Sequence, residues 1–293
     1  MSEKAIHPYI NTSIPRLLVT GANGMLGQDL CPILEDEGYD VIETDIDNLD
    51  ITNHDMIDFV LKKELPDYII HCAAYTNVDK AEEEPEKAEL INAKGTENLA
   101  KACAKNNIPT IYISTDYVFD GREANAKRNS PYNPSDIPHP INIYGQTKLK
   151  GEEMIKKYCT KYYIVRTSWL YGHHGKNFVE TMISLADKPE LKVVDDQIGC
   201  PTWTVELANG IIKIISEKDF GTYHVCGSGS TTWYGFAKEI FKQTGLKVNL
   251  KPCATEEFPR PAQRPRYSIM NNDNICRDWR LALKDYLKLR MED

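Results

Sequence analysis

Arg16-Leu17-Leu18-Val19-Thr20-Gly21-Ala22-Asn23-Gly24-Met25-Leu26-Gly27 is the stretch whose reading decides the fold. A short apolar run stops at a glycine, so residues 16–20 read as a buried strand. Residues 26–37 then show helical spacing and end at Gly38, a natural C-cap. A glycine turn that leaves a strand and opens a helix is the setting in which such a turn holds a dinucleotide. Gly21 allows the tight turn, Gly24 lets backbone N–H groups approach a pyrophosphate, and Gly27 lets helix and strand pack closely. The helix N-terminus adds partial positive charge. The spacing is Gly-x-x-Gly-x-x-Gly rather than Gly-x-Gly-x-x-Gly.

Outward from this turn, strands and helices alternate. Residues 40–45 and 68–73 read as the second and third strands. A long amphipathic stretch, residues 87–106, leads to a fourth strand at 110–114. The fifth, at 162–166, comes after a helix that carries Lys148 and Glu152. Such alternation implies a parallel sheet covered by helices on both faces. The expected fold is α/β: a Rossmann-type doubly wound parallel sheet with a smaller C-terminal α/β substrate lobe. Beyond Gly172 the elements shorten and prolines multiply, notably Pro252, Pro259, Pro261 and Pro265. The expected division is an N-terminal extension at 1–15 and a dinucleotide-binding domain at 16–170, joined by 204–218 as a returning helix. Residues 171–293 form mainly the substrate lobe, interleaved with it.

Composition sets limits on function. The 293 residues are 41% hydrophobic and 27% charged, ordinary values for a globular protein. No apolar run approaches the roughly 20 residues that cross a membrane, and residues 1–15 lack the apolar core of a signal peptide. Eight cysteines are scattered without a Cys-x-x-Cys pair or zinc spacing, so a cytoplasmic protein with reduced thiols and no metal is expected. A net charge of −8 argues against nucleic acid as a partner. It leaves room for a nucleotide substrate, which needs only a few local cations and helix N-termini.

The polar motifs all lie just past the carboxyl ends of the expected strands, where doubly wound sheets bind ligands. Asp45 ends the second strand, where a carboxylate accepts from the adenosine ribose hydroxyls and repels a 2′-phosphate. That leans the cofactor, NADH or NADPH, toward NADH; Asp47 and Glu43 are the alternatives for this role. Tyr144 and Lys148 lie one helical turn apart and share a face. A free tyrosine titrates near pH ~10, so a neighbouring ammonium is expected to lower it. Tyr144 then acts as general acid toward a carbonyl oxygen, or as base in reverse, and Lys148 also holds the nicotinamide ribose. From Ser114-Thr115-Asp116, Thr115 is the chosen second donor to that oxygen, with Ser114 competing because strand register is not readable. Asp116 is expected to bind a substrate hydroxyl or to order the loop.

Several stretches carry a resemblance. They are residues 72–82 (CAAYTNVDKAE), 114–121 (STDYVFDG), 144–152 (YGQTKLKGE), 166–172 (RTSWLYG), 195–202 (DDQIGCPT) and 264–268 (RPRYS). Together they resemble the extended short-chain dehydrogenase/reductase superfamily and, within it, the dTDP-4-dehydrorhamnose reductase family. The resemblance implies NAD(P)H-dependent reduction of the 4-keto group of dTDP-4-dehydro-6-deoxy-L-mannose to dTDP-L-rhamnose, in nucleotide-sugar biosynthesis. It implies Thr115, Tyr144 and Lys148 as the catalytic set. Gly24, Met25 and Leu26 would line the dinucleotide phosphates, Asp45 the ribose, and Asp50 and Ile51 the adenine. Ala73, Ala74 and Tyr75 would contact the cofactor beyond the third strand. Thr115, Asp116 and Trp169 would meet the sugar. Guanidinium forks match phosphate oxygens, so Arg264 and Arg266 are candidates for the diphosphate.

Dehydratases of similar fold carry Thr-Asp-Glu where this chain has Thr115-Asp116-Tyr117, and a tyrosine cannot take the C5 proton at neutral pH. The expected reaction is therefore reduction without dehydration. The competing reading is a non-catalytic dinucleotide-binding regulatory subunit resembling the methionine adenosyltransferase β subunit. Retention of Tyr144, Lys148 and Thr115 favours the enzyme. The expected partner is a nucleotide-diphosphate sugar, without nucleic acid or membrane; the oligomeric state stays open, with a homodimer as candidate.

Overall fold

A computed structural model describes residues 14–121 and 130–290. The expected N-terminal extension therefore lies, Ile14 and Pro15 apart, outside the described residues. The first half runs β1 (Arg16–Thr20), α1 (Met25–Asp36), β2 (Asp40–Thr44), α2 (His54–Glu64), β3 (Tyr68–His71), α3 (Val78–Glu83), α4 (Pro85–Glu89), a π turn (Leu90–Gly95), α5 (Thr96–Lys105), β4 (Thr110–Thr115), α6 (Ile143–Tyr158) and β5 (Tyr162–Thr167). The second half continues β6 (Leu170–Tyr171), α7 (Phe178–Ser184), β7 (Leu191–Val194), β8 (Ile198–Gly199), β9 (Thr202–Trp203), α8 (Thr204–Glu217), β10 (Gly221–His224), β11 (Thr231–Thr232), α9 (Trp233–Thr244), β12 (Leu250–Cys253) and α10 (Trp279–Leu289).

Six strands form one parallel sheet in the order β10-β5-β4-β3-β1-β2. Every residue of β3 is buried, as a strand covered on both faces requires, whereas the edge strand β2 buries only Thr44. On one face, Leu26, Leu30 and Leu34 of α1 pack with Leu207, Ile211 and Ile214 of α8. On the other, Ile57 and Leu61 of α2, Leu99 and Cys103 of α5 and Ile155 of α6 cover Leu18, Ile69 and Ile164. This is the doubly wound sheet that the sequence implies. A third cluster, with Tyr171, Trp203, Phe236, Trp279 and Tyr286 at its centre, belongs to the second half.

Three features depart from the expectation. Helices α2 and α3 are absent from the sequence reading: α3 is mostly polar with only Ala81 buried, and α2 has a narrow apolar face. The amphipathic stretch at 87–106 is broken by the π turn, because apolar spacing does not register one inserted residue. Strand β10, expected with the smaller lobe, pairs with β5 in the large sheet. Its sequence, Gly-Thr-Tyr-His, is too short and polar to reveal a strand before its neighbour is in place.

Two buried histidines make the fold acid-sensitive. Burial, with the charge of Lys148 adding, pushes His71 down to about 3; burial, with Arg166 adding, does the same to His224. As pH falls below about 6.5 the unfolded chain protonates both while the folded chain does not, so stability is lost with falling pH. Asp116 opposes them: burial pushes its carboxyl up to about 6, so the folded state takes a proton first. Two histidines against one carboxyl leave a net loss as pH falls from about 6 to about 4, and carboxylates held low by ion pairs, such as Glu97, add to it toward the lower end. The urea midpoint should therefore fall steadily over that window; a flat midpoint would contradict the burial of the two imidazoles.

Candidate active site

The glycine turn makes the floor of a cleft of about 950 Å³. Gly21 has φ +70°, and a Cβ there would stand 2.7 Å from Ala73 N, so β1 and the loop after β3 touch through a glycine. At Gly27 a Cβ would meet Ala22 O at 2.4 Å, which is the close packing of helix on turn. Gly24 caps α1 without a side-chain hydrogen bond, and Gln28 N is the first to bond back, to Gly24 O at 3.1 Å. The N–H groups of Met25, Leu26 and Gly27 thus lack helical acceptors at a positive helix end, which suits a phosphate. Met25 and Leu26 line the cleft beside Gly21, Gly24 and Gly27.

At one end lie Asp45, Asp50 and Ile51. The Asp45 carboxylate accepts from Asn23 N at 3.0 Å and Ile46 N at 2.8 Å, which fixes it at the β2 terminus over the turn. Asp50 is held by Thr52, whose N–H and hydroxyl both donate to Oδ1 at 2.8 Å. Ala73 and Ala74 line the middle of the cleft, but Tyr75 is not among its lining residues. Its phenol donates to Glu84 Oε2 at 3.0 Å and Lys87 sits over its ring, so helix α4 draws it outward. The expected cofactor contact of Tyr75 therefore falls to its backbone and to its neighbours Ala73 and Ala74 rather than to its phenol.

The far end is built by β4, β5 and α6. Ser114 and Thr115 both line the cleft, but their hydroxyls are used differently. Ser114 donates to the buried Glu152 at 2.6 Å, whereas Thr115 donates to Asp116 Oδ1 at 3.1 Å and its hydroxyl lies beside the Tyr144 phenol. Register therefore separates the two: Ser114 is tied to α6, and Thr115 faces the phenol.

Tyr144 and Lys148 both line the cleft on one face of α6. The expected depression of the phenol is not observed. Burial pushes Tyr144 above its ordinary value, with Asp116 and Tyr117 adding and Thr115 opposing. The Lys148 ammonium donates instead to Ile113 O at 2.7 Å and lies 4.1 Å from the Tyr112 ring centroid. Burial lowers it to about 7, against the pull of Glu152. A phenol held protonated is a proton donor, which matches reduction of a carbonyl more than abstraction from an alcohol. Burial of Asp116, opposed by the Ser268 and Thr115 hydroxyls, places a proton-exchanging carboxyl next to the same point.

Trp169 closes this end from the second half. It adopts φ +46°, a strained conformation for a bulky residue, at a cost of about 1–3 kcal/mol. Its indole stacks on Trp233 at 3.6 Å and 5°. Gly199 makes room for it, since a Cβ there would stand 2.6 Å from the ring. Trp233 is not among the residues the sequence singles out; a tryptophan opening a helix carries no signal of which partner it will meet.

Arg264 does not line this cleft. It lines a second cavity of about 1080 Å³, together with Arg260 and Arg266. Its guanidinium forms a bidentate pair with Asp79, whose carboxyl it holds below the ordinary range. Arg264, expected at the diphosphate, is thus paired with α3; Arg260 and Arg266 are more exposed, and Arg266 is itself paired with Glu256. Tyr117 and Trp233 line both cavities and mark their junction.

A glycine cradle at a switch in strand order, leading to a Thr-Tyr-Lys set on β4 and α6, defines a nicotinamide-dinucleotide oxidoreductase of the doubly wound class. Residues 15–291 match the family model described as RmlD substrate binding domain, and the chain belongs to that family. It is 41% identical to the spore coat polysaccharide biosynthesis protein SpsK of Bacillus subtilis, over 94% of this chain and 98% of that protein. It is 38% identical to a dTDP-4-dehydrorhamnose reductase of Aggregatibacter actinomycetemcomitans, over 92% of this chain and 97% of that one. A dTDP-4-dehydrorhamnose reductase of Bacillus anthracis, solved in complex with NADP, superposes with a TM-score of 0.89 at 44% identity, covering 94% and 99% of the two chains. The chain is an NAD(P)H-dependent oxidoreductase. Among the described residues, no helix is long and apolar enough to cross a membrane.

Proposed function

We propose that this chain reduces the 4-keto group of dTDP-4-dehydro-6-deoxy-L-mannose, yielding dTDP-L-rhamnose. The observation that carries the reading is the junction of Thr115, Tyr144 and Lys148 at one end of a cleft whose floor is the glycine turn. The dinucleotide fits the uncapped start of α1, with Met25 and Leu26 at its phosphates and Asp45 at its ribose; when bound it supplies a hydride from nicotinamide C4. Tyr144 delivers the proton to the ketone oxygen, Thr115 polarises that oxygen, and Lys148 holds the nicotinamide ribose. Asp116 and Trp169 orient the hexose, and the flat indole suits the apolar face of a deoxysugar. The second cavity, largely lined by residues 178–266, receives the nucleotide diphosphate beside Arg260 and Arg266, and this lining supports reading residues 171–293 as mainly the substrate lobe. Free cysteines throughout suit a cytoplasmic setting.

Turnover of enzymatically made dTDP-4-keto-L-rhamnose, monitored by loss of reduced-nicotinamide absorbance, tests the reading. No turnover with either cofactor, despite measurable dinucleotide binding, would sink it.

For the cofactor, the reading is NADH over NADPH, because Asp45 would face a 2′-phosphate. Asp45→Ser removes that repulsion and should raise the NADPH-to-NADH ratio of kcat/KM by about tenfold, or about 1.4 kcal/mol. An unchanged ratio would show that Asp45 serves only to hold Asn23 and Ile46.

A further inference from the structure

Residues 258–266 (FPRPAQRPR) form neither helix nor strand, and all but Pro265 line the second cavity. Pro259, Pro261 and Pro265 carry no backbone N–H, so this strap is poorly suited to a hydrogen-bonded ladder. Side chains from elsewhere must hold it in place.

Those side chains come from the first half of the chain. Asp79, in the first turn of α3, accepts from Arg264 Nη2 at 2.9 Å and from Nη1 on its other oxygen. The same carboxylate accepts from Ala262 N at 3.2 Å, and Arg264 Nη1 also donates to Ala262 O at 2.6 Å. The guanidinium further bonds the Tyr117 phenol, which lines both cavities. Asn142, 3% exposed, holds the next residue. Its Oδ1 caps α6 by accepting from Gly145 N at 2.8 Å, while its amide donates to Gln263 O at 2.7 Å. Gly121 completes the seat, since a Cβ there would run into Pro265. The strap is thus fastened to α3, to the loop after β4 and to the start of the helix that carries Tyr144.

Asp79 itself lines the second cavity. A carboxylate in a pocket for a diphosphate opposes its ligand unless its charge is spent on a cation. Here Arg264 takes that charge: its side chain is 18% exposed, against 55% for Arg260 and 57% for Arg266. With Arg264 pinned, the two flanking arginines keep their places on the cavity wall.

We propose that Asp79 is a positioning residue for the nucleotide diphosphate end of the substrate: by clasping Arg264 it holds the 258–266 strap as the wall of the second cavity. The identity of that cavity's ligand rests on the proposed function. Without the clasp the strap has to be ordered each time a ligand enters, and that ordering is taken from the binding energy.

The test titrates the full chain with dTDP and, separately, with NADH by calorimetry, with thermal unfolding in parallel. Asp79→Asn keeps the size of the side chain and removes its charge; it should weaken dTDP binding about tenfold, the effect of one charged hydrogen-bonded pair, and leave NADH affinity unchanged. Arg264→Lys, which keeps the charge and loses the fork, should act in the same direction. The double variant should bind no worse than the weaker-binding single, because the two residues act as one pair. If Asp79→Asn does not fold, Arg264→Lys decides alone. A carboxylate that merely faces the diphosphate predicts the opposite sign, so dTDP binding unchanged or tightened in Asp79→Asn would overturn the clasp. Equal losses for dTDP and NADH would overturn it too, since they mark a general loosening of the fold. A wild type that binds no dTDP overturns both the clasp and the role given to the second cavity. One that binds dTDP without turning over keto-sugar defeats the proposed reaction and leaves the clasp standing.

Discussion

Tyr144→Phe is expected to lower turnover about a thousandfold while leaving NADH affinity and the melting temperature near those of the wild type. The phenol lies beside Thr115 and edge-on to Tyr117, with ring centroids 5.5 Å apart, so phenylalanine fills the same volume and loses only the hydroxyl. Since burial raises the phenol, Tyr144 enters the reaction protonated and the loss falls on the chemical step. kcat and kcat/KM should drop together, the mark of a contact made in the transition state. A variant retaining more than a tenth of wild-type turnover would assign the proton to another group, with Asp116 the nearest candidate.

The largest effect on stability is expected at Glu152. Arg166 donates to it from Nε at 2.8 Å and Nη2 at 2.7 Å, and Ser114 from its hydroxyl at 2.6 Å. Burial raises the carboxyl, but these donors and the Arg166 charge outweigh burial and hold it below the ordinary range. Glu152 is 0% and Arg166 1% exposed. Glu152→Ala therefore strands a guanidinium in the interior, at about 3–5 kcal/mol. The melting temperature should fall by the order of 10 °C. Replacing both partners with methionine should recover most of the loss, since the pair itself is close to neutral against apolar groups. A single variant that melts within two or three degrees (roughly 1 kcal/mol) of the wild type would show that solvent reaches Arg166. Activity should also suffer in Glu152→Ala, because Ser114, which lines the cleft next to Thr115, loses its acceptor.

Much of this site is legible in the amino-acid order. The strand-turn-helix at 16–27 is local: a glycine without a side chain and a helix start are readable from neighbours in sequence, and the structure puts them at the cleft floor. Tyr144 and Lys148 share a face because helical periodicity makes them do so. Protonation is less legible. Spacing alone points to a phenol lowered by Lys148, but burial depends on what β3, β4 and the second half place around the pair, and it wins.

Ser114 against Thr115, Tyr75 and Arg264 show the same limit. Each residue type suits its expected chemistry, yet its partner lies elsewhere in the chain: Glu152 for Ser114, Glu84 for Tyr75, Asp79 for Arg264. The amino-acid order alone determined the class of fold, the glycine turn between β1 and α1 and the shared face of Tyr144 and Lys148, because these depend on local geometry and alternating burial. Only the tertiary structure decided which hydroxyl faces the phenol, where the π turn breaks the stretch at 87–106 and which tryptophan stacks on Trp169. Those outcomes depend on contacts between residues far apart in sequence, and spacing along the chain carries no information about their distance in space.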